Sequence, residues 1–335
     1  MTQILIAFLL SFAAAAILSP IVMKVLKRMH ASQTILHYVE AHEGKQGTPT
    51  MGGIIFILAA IITSIFVLKN DITLAIITLA SMFGFGILGF LDDFIKVKYK
   101  QNQGLKAYQK IIGQVGLAVL IAFFAYYSSL VGTEIYAPFT NITLNLGWAY
   151  IPFCVFVFLA ITNSVNLLDG LDGLAGGVSF VYLIGFMGIM ALHLSAQTGQ
   201  ALNFIQEQNN LILISSCMLG GLLVFLVLNG HPACVFMGDT GSLALGGFIA
   251  ALAIFSRLSL YVLIIGLVYV ITALSDILQV LHYKRTKRRI FKMAPLHHHF
   301  EKSGMHENKI VIVYIVITII LVCLTTLIAY FTLGV

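Results

Sequence analysis

Asp92 and Asp93 stand side by side at the end of a long apolar stretch. Adjacent carboxylates repel, so such a pair suits a divalent cation or a shared proton. Lys96 follows on roughly the same helix face. Asn163, Asn166, Asp169 and Asp172 recur every three residues, with Gly170 and Gly173 among them. On a helical turn these four would share one face, and the glycines would let backbone approach a ligand closely. Asn229 opens a third segment in which Asp239 lies between Gly238 and Gly241, with no basic residue nearby. That suits a metal ligand or a phosphate-facing turn; Phe236 could stack on a base or anchor the loop. His297, His298 and His299 form a run that could ligate metal or donate to phosphate. Lys45, Thr48 and Thr50 precede another apolar stretch, where lysine, hydroxyls and free helix N–H groups could bind phosphate. Thr50 reads equally as a plain N-cap.

The elements that must position these residues are membrane spans. The chain has 335 residues, 59% of them hydrophobic and only 10% charged, with a mean hydropathy of +0.99. This excludes a soluble globular enzyme, a disordered chain and a coiled coil. Ten apolar stretches are expected, at 4–25, 51–68, 72–91, 111–128, 149–162, 174–194, 211–228, 242–256, 259–282 and 310–331. The first reads as a span rather than a secretory signal, because no Lys or Arg precedes it. The fold class is therefore all-α: a polytopic membrane protein with about ten transmembrane helices, forming a single domain over 1–335. A small outer β-hairpin is expected within 133–148. The four cysteines lack paired spacing and read as free thiols.

Basic residues set the sidedness. Odd-numbered loops carry 17 Lys and Arg, against 2 on the other side. Odd loops are thus expected in the cytoplasm and both termini outside. Six cations between Lys284 and Lys292 mark that side and suit anionic lipid. All five polar segments fall on odd loops, which points to one composite cytoplasmic site. Gly84, Gly86 and Gly89 fit a dinucleotide fingerprint on paper, but they lie inside a span with no strand before them; close helix packing is the expected role.

Carboxylates, histidines and lysines gathered at a membrane surface suit a phosphorylated substrate with Mg²⁺, and a lipid as second substrate. A transporter or flippase would place charge near the midplane, whereas here the spans are nearly free of it, Asp276 being the main exception. No nucleic-acid partner is expected.

Lys45–Gly53, Leu91-Asp92-Asp93, Asn163–Ala175, Asn229–Ser242 and Pro295–Glu301 together carry a resemblance over the whole chain. The sequence resembles the polyprenyl-phosphate N-acetylhexosamine-1-phosphate transferases. The Pro-Leu-His-His-His-Phe-Glu string is similar to the muramoyl-pentapeptide branch rather than the UDP-GlcNAc-using relatives, which stay as the alternative. The resemblance implies that undecaprenyl phosphate attacks UDP-MurNAc-pentapeptide, giving lipid I and UMP in peptidoglycan synthesis. It implies a homodimer in the bacterial inner membrane with its active site facing the cytoplasm. It implies that Asp239 binds Mg²⁺, that Asp92 and Asp93 are essential, and that Asp92 is the candidate base. A phosphate monoester is already mostly dianionic at pH 7, so a base is not required. Asn166, Asp169 and Asp172 would lie on the nucleotide side, with Phe236 stacking on uracil. Gln279 would contact substrate, and His297 to His299 would face the diphosphate or sugar. Relatives often carry Lys where this chain has Tyr108; Lys106 or Lys110 is expected to replace it.

Overall fold

Apolar helices account for nearly all of the architecture. The computed structural model describes residues 2–29, 31, 47–101, 103–196 and 200–334. Among the described residues, eight helices are long and apolar enough to span a membrane. They are α1 (Thr2–Arg28), α3 (Thr73–Tyr99), α4 (Ala107–Tyr127), α5 (Tyr150–Leu168), α6 (Leu174–Ala196), α7 (Leu202–Asn229), α8 (Gly238–Phe255) and α12 (Glu307–Leu333). A ninth span is broken: α9 (Val262–Ile265) and α10 (Leu267–Thr286) meet at Gly266 with a bend of 81°. The second apolar stretch, 51–68, forms only α2 (Ile54–Val67). Its 14 residues reach about 21 Å at ~1.5 Å per residue, short of the ~30 Å hydrocarbon core. Residues 51–53 turn instead of extending it, with Met51 at φ 68°. A short helix, α11 (Leu296–Glu301), carries the three histidines.

α8 is the innermost helix. Every residue from Thr240 to Phe255 is buried, as expected of a helix apolar on all sides. Glycine and alanine dominate it, so neighbouring backbones come close. α3 packs on it most extensively, and α5 covers another side. Gly89 shows why glycine matters there: a Cβ at this position would overlap the main-chain carbonyl of Asp239. The 84–89 glycines thus serve helix packing, and the packing brings the end of α3 against the start of α8.

The bundle has two distinct ends. At one, Glu207 of α7 is buried and accepts the N–H groups of Thr73 (3.0 Å) and Leu74 (2.8 Å). A carboxylate there satisfies orphan donors and the positive end of the α3 dipole. The same end carries the expected hairpin, β1 (Glu134–Tyr136) with β2 (Thr143–Asn145), antiparallel with Ile135 opposite Leu144. Arg257 anchors it through its carbonyl, which accepts from Tyr136 N, and through its guanidinium, 3.6 Å from Glu134. The four cysteines are free. The opposite end gathers the chain's polar motifs.

Candidate active site

Asp92 and Asp93 lie in the last turns of α3 and are both buried. Asp239 lies in the first turn of α8. Oxygens of the three carboxylates approach within 4.8 Å of one another. Like charges this close need neutralising partners, and two lysines supply them. Lys96 Nζ sits 2.6 Å from Asp92, 2.8 Å from Asp239 and 3.9 Å from Asp93. Lys110 Nζ, from the first turns of α4, lies 3.1 Å from Asp239. Tyr108 is exposed, as is Lys106, so Lys110 is the cation that reaches the cluster.

Each acid is also held by other groups. Asp93 Oδ2 accepts from Thr240 N (2.9 Å) and Thr240 Oγ1 (2.7 Å), acting as a cap on α8 from a neighbouring helix. Asp92 Oδ1 accepts from Leu105 N at 2.9 Å. Asn166 Nδ2 donates to Asp239 Oδ1 (2.6 Å) and to Ser242 Oγ (2.8 Å). Thr50 is buried, and its hydroxyl and Asp93 Oδ2 approach Gly238 from the same side. Thr48 is half-buried on the approach to it. The expected Lys45 lies outside the described residues.

The spacing of three did not produce one face. α5 ends at Leu168, with Asp169 as its C-cap at ψ 48°, so later residues leave the helical register. Asn163 pairs with buried Gln114 of α4 at 2.8 Å, and Asn166 reaches Asp239. Asp169 lies near the cluster: desolvation, then the charges of Asp239, Asp93 and Asp172, pushes its carboxyl well above the usual range. Asp172 joins a second group. Its Oδ2 is 3.2 Å from His231 Nδ1 and accepts from Ala233 N, while its own N–H donates to Glu307 at 2.7 Å. His231 is also 3.4 Å from Glu307.

Three further expected contacts are engaged by the protein's own backbone. Asn229 is buried, accepts from Gly173 N and donates to Val235 O. Gln279 Oε1 accepts from Ile290 N and Phe291 N, and its Nε2 donates to Phe291 O, all at 3.0 Å. Gln279 therefore pins the loop before the histidines instead of presenting an open amide. His299 Nδ1 accepts from Lys292 N at 3.1 Å. His297 is fully buried, and burial holds its ring down at about 3. His298 is half-buried, with Nδ1 2.9 Å from Glu301. Phe236 is half-buried; its backbone joins the Pro49–Gly52 segment through two hydrogen bonds of 2.8 Å.

Sequence reasoning assigned no role to Thr240, Ser242, Gln114, His231 or Glu307. The first two had a signal, since both flank Asp239 in the Gly-rich loop. Gln114, in the interior of α4, had none.

The Asp92–Asp93–Asp239 group offers oxygen donors alone, which fits a hard divalent cation. The Asp172–His231–Glu307 group is a second set with metal-ligating atoms within 4.8 Å. What the first arrangement can do is hold a cation and two ammonium groups against a polyanion.

The chain matches Glycosyl transferase family 4 over residues 74–257. It also matches the phospho-N-acetylmuramoyl-pentapeptide-transferase signature 1 over residues 45–57. It is 44% identical over 322 residues to the phospho-N-acetylmuramoyl-pentapeptide-transferase of Clostridium novyi, covering 96% of this chain and 95% of that one. The enzymes of that name from Desulfitobacterium hafniense and Clostridioides difficile are each 42% identical. They cover 93% and 96% of this chain, and 93% and 96% of their own. Matches of this identity run through the carboxylate cluster and both ends of the bundle, and the chain belongs to the phospho-N-acetylmuramoyl-pentapeptide-transferase family.

Proposed function

We propose that this multi-pass membrane transferase moves phospho-MurNAc-pentapeptide from UDP-MurNAc-pentapeptide to undecaprenyl phosphate, releasing UMP and leaving lipid I. The convergence of three carboxylates and two lysines at the meeting of α3, α4 and α8 carries this reading. In the reaction, an oxygen of the lipid phosphate attacks the sugar-linked phosphorus. The bond from that phosphorus to the UMP oxygen breaks, and UMP leaves with the electron pair. The attacking phosphate is mostly dianionic at pH 7, so no protein base is required.

Asp239, with Asp92 and Asp93 beside it, would hold Mg²⁺, which supplies neutralisation of charge developing on the phosphoryl oxygens. Lys96 and Lys110 offer ammonium groups to the remaining oxygens, at positions already set by Asp92 and Asp239. Asn166 orients Asp239, and Thr240 orients Asp93. The half-buried ring of Phe236 is available to stack on uracil. Of the three α11 histidines, His298 is the one offered to the donor substrate, since His297 is fully buried and His299 Nδ1 is taken by Lys292 N. The site is placed on the cytoplasmic side of the bacterial inner membrane, a reading supported by the 17-to-2 split of cations. Assembly as a homodimer belongs to the same proposal.

Purified protein with Mg²⁺, undecaprenyl phosphate and UDP-MurNAc-pentapeptide should release UMP, and a chelator should stop it. Turnover of UDP-GlcNAc in place of the muramoyl substrate would assign the chain to the sister activity.

A further inference from the structure

The three consecutive histidines of α11 do not have equivalent surroundings. His297 is fully buried, and neither ring nitrogen has a hydrogen-bond partner among the described residues. His299 Nδ1 accepts the Lys292 N–H, so its proton sits on Nε2. His298 is the reverse case. Its Nδ1 lies 2.9 Å from Glu301 Oε2, one helical turn on. An ionised carboxylate only accepts, so Nδ1 carries the hydrogen and Nε2 is the nitrogen left to meet a ligand. That Nε2 lies beside Gly170, where a Cβ would stand 3.0 Å from it and closer still to the Nε2 of His297. Gly170 follows Asp169, whose carboxyl feels the charges of Asp239 and Asp93.

The α11 helix is itself clamped. Ser275 Oγ accepts the first helical N–H, from Leu296, at 3.1 Å. One turn along α10, Gln279 grips the chain at Ile290 and Phe291. The imidazole of His298 is therefore fixed twice, in place by α10 and in orientation by Glu301.

We infer that Glu301 is a positioning residue that holds the His298 ring by its Nδ1–H, so that Nε2 is presented to a polar group of the nucleotide-sugar. Phosphate oxygens need cationic partners of their own. The lysines at Asp239 serve that purpose. This inference rests on the proposed nucleotide-sugar transferase activity and refines its donor site. Polar groups that could meet Nε2 exist on both the sugar and the nucleotide, and the experiment separates them.

The test is a double-mutant cycle on the purified full-length chain, using UMP release and melting temperature. The wild-type protein first reports whether the proposed donor is turned over at all; failure there refutes the activity and not the pairing. The cycle then runs on whichever nucleotide-sugar the wild type uses. Glu301→Gln should lower kcat about 10- to 100-fold, the scale on which loss of a histidine-orienting partner is felt. KM for the lipid phosphate should not change. His298→Asn should cost as much or more, and the double variant should be no worse than His298→Asn alone. Additive losses, or near-normal turnover by Glu301→Gln, would overturn the pairing. If Glu301→Gln melts early, Glu301→Asp keeps the carboxylate; recovery of both melting and turnover supports the pairing, and recovery of melting alone overturns it. Product inhibition by UMP identifies the donor. Inhibition unchanged in His298→Asn puts the bonded group on the sugar, and weakened inhibition puts it on the nucleotide.

Discussion

At the scale of single residues, charge compensation dominates. Asp239 touches two ammonium groups and one carboxamide within 3.1 Å, so its environment is built to keep an anion beside other anions. Lys110 belongs to this arrangement and Lys106 does not. Lys110→Ala should lower kcat on the order of 10²-fold, as removal of a preorganised charge does, whereas Lys106→Ala should stay within about twofold. UMP release with both variants checks this, and equal losses would place the wrong lysine at the site. Asp239→Asn should abolish Mg²⁺-dependent turnover while the protein still inserts. His297 makes a different prediction. Burial holds its ring at about 3, while the unfolded chain's histidine titrates near 6.5. The unfolded state therefore takes up a proton that the native state refuses. The stability contribution is intact above pH ~6.5 and falls as the pH drops towards about 3, by up to ~1.4 kcal/mol per pH unit. Melting temperatures of wild type and His297→Gln in detergent should thus converge as pH falls from 7 to 5. A constant gap would show that His297 is not buried neutral.

At the scale of elements, the site depends on how closely α3 approaches α8. Gly89 meets the backbone of Asp239, and backbone cannot swing aside as a flexible side chain can. Gly89→Ala should cost about 1–3 kcal/mol through overpacking, lowering the melting temperature and separating Asp92 and Asp93 from Asp239. Gly116, on the exposed side of α4, is the matched control, since an added Cβ meets nothing within 4 Å. Gly116→Ala should be neutral or stabilise by up to ~1 kcal/mol through helix propensity. Comparable losses in the two variants would rule out close packing as the reason for glycine at 89. The break at Gly266 is a second device of this scale. Beyond it, α10 buries only Val268, Tyr269, Thr272 and Ser275, and Ser275 and Gln279 hold the histidine segment.

At the scale of the whole molecule, one end of the bundle is chemical and the other structural. Five inter-helix segments meet at the first end. Hydrogen bonds link Pro49 to Phe236, Leu105 to Asp92, Gly173 to Asn229 and Asp172 to Glu307. The cation excess predicts that this end faces the cytoplasm. A cysteine replacing Lys287, in a chain lacking exposed Cys234 and Cys323, should react with an impermeant maleimide only from the cytoplasmic side. Labelling from outside would invert the orientation.

Much of this was legible in the sequence because hydropathy and charge bias are local quantities. They determined the apolar segments, the small hairpin, and the collection of Asp92, Asp93, Asn166 and Asp239 on loops of one parity. Spacing could not say which side chains touch, because that depends on where helices stop and how closely their axes approach. Only the tertiary structure ended α5 at Leu168, which separated Asp172 from Asn166. It alone shortened α2, broke the ninth span, and turned Asn229 and Gln279 towards backbone. Lys110 prevailed over Lys106 because Lys106 is the exposed N-cap residue ahead of α4, whereas Lys110 lies within the helix and reaches Asp239.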